Sequence, residues 1–289
     1  MQILISILFD GLAYGMMLFV IAVGLSVTMG LMGFINLAHG AFAMVGGYLT
    51  VSAMSRLGLP FPLALLAAAL AVGAVSILLE RGLYARLYAA PELDQVMLTI
   101  GLVFMATAAV TFAYGPAPVP VRLPTYLEGQ IDLGFRAFPT YRMVLIGVGL
   151  AFMALLWLVF ERTLLGARIR AAVDNRRMAQ SVGINVDRLF TATFAFGSAM
   201  AALGGGLAID IVGLSPTFAS QYLVLFLIVV AVGGMASLSG AFVAALLLGF
   251  LDNAGKYLWP EAGGFFIYVV TVALLLARPE GLLTRGRRS

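Results

Sequence analysis

The run YRMVLIGVGLAFMALLWLVF, residues 141–160, passes directly into ERTLLGARIRAAVDNRRMAQSVGINVDR, residues 161–188. The first stretch has the length an α-helix needs to cross about 30 Å of hydrocarbon. The second is too polar to cross, and its arginines mark it as a surface segment. An apolar rod in lipid that delivers the chain to a basic loop is the unit from which the rest can be read.

Similar apolar runs recur along the chain, at about 3–29, 35–54, 61–79, 95–114, 141–160, 189–211, 221–235, 240–257 and 263–277. The sequence therefore predicts an all-α, polytopic transmembrane helical bundle of eight to ten spans, with residues 1–289 forming a single transmembrane domain. Glycines interrupt 29–54 and 221–257, where a broken or re-entrant helix would change the span count. Composition agrees: 62% of residues are hydrophobic and 10% charged, against about 25% charged in a soluble domain. A soluble fold so apolar would expose contiguous greasy patches, which lipid removes as a difficulty. The net charge of +4 does not call for nucleic acid, because the basic residues sit in short loops between spans. With no cysteine in the chain, disulfides, thiol chemistry and cysteine metal sites are excluded. The opening residues Met1-Gln2-Ile3-Leu4 lack a basic leader, so the first run is expected to remain as a span.

Lys and Arg placement sets the expected orientation. Residues 162–188 carry Arg162, Arg168, Arg170, Arg176, Arg177 and Arg188, and the tail carries Arg278, Arg285, Arg287 and Arg288. Both are expected in the cytoplasm, with 80–94 inside, 115–140 outside and, for nine spans, an external N-terminus. The proline-rich stretch from Gly115 to Pro139 favours an extended path and reads as a linker or as a docking surface for an external partner.

Small residues four apart predict close helix packing: Gly11 and Gly15, then Gly197, Ala201 and Gly205 beside Ser198, Ala202 and Gly206. A faint echo links Gly40-Ala41-Phe42-Ala43 to Gly240-Ala241-Phe242-Val243. Asp10, Asp210, Asp252 and Lys256 fall near span ends, where interfacial solvation explains them. His39, the sole histidine, lies three residues after Asn36 at a span start. If the helix begins that early the two share a face, either lining a polar path or tying helices together. One histidine gives no metal site.

Residues Glu161–Asp187 are expected to form a surface helix, with Ala171, Met178, Ala179 and Val182 sharing a face, Gly183 ending it and Asp187 capping the next. No nucleotide-binding motif is present: around Lys256 the glycine spacing is wrong for a P-loop and Tyr257 follows the lysine. No D-x-x-x-D pair suggests a prenyl-transfer enzyme. The chain reads as a non-enzyme without a cofactor of its own.

The segment Asn36-Leu37-Ala38-His39-Gly40-Ala41-Phe42 followed by Gly46-Gly47-Tyr48-Leu49 resembles the first-half signature of branched-chain amino-acid ABC importer permeases of the LivH type. Arg170-Ala171-Ala172 through Met178-Ala179 and Val182-Gly183-Ile184-Asn185 resembles that family's cytoplasmic loop. Gly233-Gly234-Met235 to Gly240-Ala241 resembles its third glycine-rich segment, although Ser239 stands where the family more often has proline nearby. The resemblance covers nearly the whole chain in matching order. It implies a second permease subunit, related or identical, two cytoplasmic ATP-binding subunits that carry ATP and magnesium, and an external substrate-binding protein, in a bacterial cytoplasmic membrane. It implies that a coupling loop at about 161–188, with Arg170, Ala171, Ala172, Ala179, Gly183 and Ile184, docks on an ATPase. Asn36 and His39 are the candidates for the substrate path. The rival expectation is a secondary transporter or channel for a small polar solute that needs no ATPase; co-purification with ATPase chains separates the two.

Overall fold

The computed structural model describes residues 2–121, 123–132, 134, 137–235, 237–279 and 281–283. Eleven α-helices appear among them: α1 (Gln2–Met32), α2 (His39–Leu57), α3 (Phe61–Gly82), α4 (Glu92–Tyr114), α5 (Thr140–Arg162), α6 (Leu164–Asp174), α7 (Arg176–Ser181), α8 (Val186–Ala208), α9 (Phe218–Gly233), α10 (Leu238–Leu258) and α11 (Gly263–Ala277). A helix coincides with each of the nine expected spans. Six of them, α1, α3, α4, α5, α8 and α10, are long and apolar enough to cross a membrane. The shorter α9 and α11 are apolar, and α2 starts four residues later than the sequence suggested.

Burial separates the helices into a centre and a rim. In the most apolar 18-residue window, 83% of α1 and 72% of α8 is buried, against 17% for α4 and for α5. The outer face of α3 turns Leu70 and Leu78 to the outside and α4 turns Phe104 and Phe112, Phe112 being 94% exposed. A surface of this kind suits hydrocarbon and would aggregate in water. Four contacts organise the centre, α1 against α10 and α8 against α1, α2 and α3.

These contacts are made by backbone, as the four-residue glycine spacing predicts. A Cβ on Gly11 would overlap Phe250, and one on Gly15 would meet the Ala245 carbonyl oxygen at 2.9 Å. Gly205 lies against the Ala43 carbonyl and Gly46 against Ala202. Gly24 of α1, which the spacing rule does not single out, faces Gly197 of α8, each lying where a Cβ would run into the other's carbonyl. Close backbone approach of this sort lets helices gain dispersion contacts where lipid gives no hydrophobic drive.

The ends of the bundle also sort themselves. Arg81 and Arg86 meet Arg176 and Arg188 around one cavity, while Glu161 and Arg170 share another with Leu283. The segments 80–94, 161–188 and the start of the tail thus share one end, here the basic end. Arg285, Arg287 and Arg288 lie outside the described residues. At the opposite end a two-stranded hairpin, β1 (Gln130–Asp132) with β2 (Ala137–Pro139), pairs Ile131 with Phe138, and Phe138 stacks on Phe9 of α1. Val119 bridges Leu214, so the proline-rich segment is not a bare linker. Both glycines of the four-residue echo pack on α9, Gly40 of α2 on Ala219 near its start and Gly240 of α10 on Gly233 at its end.

Candidate functional site

Three places are candidates. The first is the unwound stretch between α1 and α2. Gly33 has a left-handed φ of +61°, which only glycine adopts without strain, and ends α1. The next five residues are not helical, so Asn36 precedes α2 and the shared helix face with His39 does not form. Asn36 is 2% and His39 1% exposed. The Asn36 side-chain oxygen accepts from the Ala38 amide at 3.1 Å and the Tyr84 hydroxyl at 3.0 Å. His39 Nε2 lies 2.8 Å from the Ile21 carbonyl of α1, and as a donor there it has a partner. Phe34 closes the site against Tyr84 and Tyr88. Tyr88 donates to Glu80 at 2.5 Å; burial first, and then the Glu80 carboxylate, raises its phenol above the usual range and keeps it a donor.

The second is the cap formed by residues 161–188. A single surface helix does not form, because the chain breaks at Asn175, whose φ of −151° and ψ of 99° are extended. Asn175 ends α6 and its side chain caps α7, accepting from the Met178 amide at 3.0 Å. Gly183, φ +85°, closes α7 with paired bonds, Gly183 N–H to the Gln180 carbonyl and Ile184 N–H to the Ala179 carbonyl, each 3.0 Å. Asn185 caps α8 by accepting from the Arg188 amide at 3.0 Å, in place of Asp187, which pairs with Arg176 at 3.3 Å.

The expected apolar face of this segment is also revised. Ala172 and Ala179 are buried with Leu31, Ile169, Val186, Leu189 and Phe190, and Ile184 packs at the edge of that cluster. Ala171 and Gly183 face outward, as do Met178 (62% exposed) and Val182 (70%). Arg170 braces the base by donating to the Phe160 carbonyl, and it stands 3.7 Å from Glu161.

The third lies at the hairpin end and was not legible as a site. Asp10 of α1 is ion-paired with Arg142 of α5 and accepts from the Tyr257 hydroxyl at 2.8 Å. Asp252, 5% exposed, pairs with Lys256 one turn on at 2.5 Å. These four charges and Tyr14 and Tyr222 line a cavity of about 310 Å³. Asp10 and Asp252 thus border one cavity, each with its own cation, and Arg142 and Lys256, 34% and 55% exposed, keep these charges in touch with the surface as their place near span ends suggested. Asp210, in the turn after α8, remains exposed. The glycine-containing stretch around Lys256 is helical within α10, so it offers no free loop amides to a phosphate.

The family model described as branched-chain amino acid transport system / permease component matches residues 7–275. The high-affinity branched-chain amino acid transport system permease protein LivH of Escherichia coli is 30% identical, covering 96% of this chain and 94% of its own. BraD of Pseudomonas aeruginosa, a permease protein of the same description, is 28% identical over 96% and 95%. A probable branched-chain amino acid transport permease protein LivH of Methanocaldococcus jannaschii is 24% identical over 96% and 91%. No solved structure matches the chain.

Proposed function

The chain belongs to the branched-chain amino acid transport permease family, and from that premise we propose that it is the membrane subunit of an ATP-driven importer of branched-chain or related amino acids. Its assembly would hold two permease subunits, two cytoplasmic ATPases that bind ATP with magnesium, and an external substrate-binding protein, in a bacterial cytoplasmic membrane. Transport proceeds by alternating access, the two ends of the path opening in turn as the ATPases close and part.

The observation that carries this reading is the shape of the cap. A lever that transmits force must be fixed at its base and free at its tip. Here Ala172, Ala179 and Ile184 seat the cap on the ends of α1 and α8, and Arg170 ties α6 to α5. Beyond that base Met178 and Val182 stand exposed, an apolar tip ringed by Arg176 and Arg177 and of a size to enter a groove on another protein. The bent α6–α7 geometry, fixed by Asn175 and Gly183, sets where the tip points. Asn36 and His39 hold the α1–α2 break beside the route, so movement of α1 at the cap reaches the middle of the bundle through the His39 to Ile21 contact.

The test uses the complete assembly in proteoliposomes. A Met178→Asp/Val182→Asp variant places charge at the tip without touching the cap's buried base. It is expected to release the ATPases or to leave hydrolysis without uptake. Full ATP-driven uptake by that variant would overturn the coupling role, and substrate flux by the chain without ATPases would favour an ATP-independent carrier.

A further inference from the structure

We propose that the cavity at the hairpin end, walled by α1, α5, α9 and α10, is a binding site for zwitterionic α-amino acids on their way into the membrane. The inference rests on reading the chain as an amino-acid permease and adds to it a place where the substrate is chemically recognised by the permease itself.

Two observations carry it. The first is charge balance around an open volume. Asp10 and Asp252 supply two carboxylates, Arg142 and Lys256 two cations, and they border the same 310 Å³ space. That volume falls within the range of small-molecule pockets. A simple anion or cation would leave one pair of like charges facing it uncompensated. A molecule that carries both signs can exchange with the existing pairs, its carboxylate taking Arg142 and Lys256 and its ammonium taking Asp10 and Asp252. The exchange replaces ion pairs with ion pairs, so it costs little and gains little. Weak, rapidly reversible binding is what a transit site requires.

The second observation is hydrogen-bonding capacity that the protein does not use. Tyr14 is only 7% exposed, and both Tyr14 and Tyr222 line the cavity. Neither hydroxyl has a hydrogen-bond partner among the described residues. Both hydroxyls open onto the cavity, Tyr222 being only partly buried, and a phenol beside a cavity without a protein partner is free to donate to water or, in its place, to a guest. Between these groups, Ile211 and Val212 form an apolar wall, which suits an aliphatic side chain attached to a zwitterionic head.

The chain contains no cysteine, so a single introduced thiol reports on this place alone. In Asn253→Cys, at the cavity wall, the rate of modification by a membrane-impermeant thiosulfonate is measured on the permease–ATPase complex in nanodiscs without the external binding protein. Leucine at tens of millimolar should slow labelling severalfold. Leucinamide, which lacks the carboxylate, and 4-methylpentanoate, which lacks the ammonium, should not. Adding Tyr14→Phe and Tyr222→Phe removes no hydrogen bond among the described residues, so the fold is retained, yet about tenfold more leucine should be needed. Equal protection by all three compounds, no protection by leucine, or unchanged protection in the double phenylalanine variant would each overturn the site. ATP-driven leucine uptake by the same complex, with the binding protein added, is scored separately. Uptake without protection removes this site and leaves the importer reading standing; protection without uptake does the reverse.

Discussion

The α1–α2 break and the hairpin-end cavity are both polar places in a greasy bundle, and they differ in what they do with their polar atoms. At the break, the Asn36 oxygen takes two donors and His39 Nε2 sits against the Ile21 carbonyl, with aromatic rings closing around them. At the cavity, charges are paired but two phenol hydroxyls are left over beside open space. The first region spends its polarity on the fold, holding a non-helical stretch where unsatisfied backbone would be costly. The second keeps some in reserve. In a membrane protein the polar residues worth following are those with capacity to spare, and polarity alone does not identify them.

The contrast can be broken by experiment, in descending order of expected effect. Asn36→Ala leaves the Ala38 amide and the Tyr84 hydroxyl facing a buried void, and should lower unfolding stability in detergent by about 2–4 kcal/mol. A loss below about 1 kcal/mol would show that the break is not held by this side chain. Arg142→Met leaves Asp10 with Tyr257 as its remaining described partner. Since Arg142 is itself 34% exposed, the loss should be about 1–2 kcal/mol, below the figure for a fully buried pair.

Tyrosine-to-phenylalanine changes sharpen the comparison most directly, because each deletes one oxygen. Tyr84→Phe should cost about 1 kcal/mol, read from the same unfolding curves. Tyr14→Phe and Tyr222→Phe should each fall within about 0.5 kcal/mol of the parent, since their hydroxyls have no hydrogen-bond partner among the described residues. Equal losses at Tyr84 and Tyr14 would erase the distinction between the two regions.

Much of the architecture was legible from runs of apolar residues, because each helix in lipid must satisfy its own backbone and be long enough to cross. The Gly11–Gly15 face was readable for the same local reason, as was the stop at Gly183. What escaped depended on pairing across the chain. Asp10 meets Arg142 132 residues away and Tyr257 247 residues away, and no periodicity signals such a meeting. Gly24 stands alone in α1 without a small partner four residues off, so its contact with Gly197 could not be inferred from spacing. The break at Asn175 was hidden because helix propensity on either side is good and asparagine caps only by virtue of the extended φ and ψ it adopts there. The candidate path residues Asn36 and His39 were picked out by type; which partners they hold became visible only when Tyr84 and Ile21 were brought to them.

The meeting of Gly24 with Gly197 has a mechanical corollary. Where α1 crosses α8, main chain rests on main chain at Gly24 and Gly197, and Thr28 and Ile21 of α1 occupy the notches at Gly197 and Gly204 of α8. A methyl group added at either Gly24 or Gly197 would have nowhere to go except between the two rods. The gauge of the bundle's central axis is therefore set by two missing side chains, and widening it there would be felt by every helix that leans on α1 or α8.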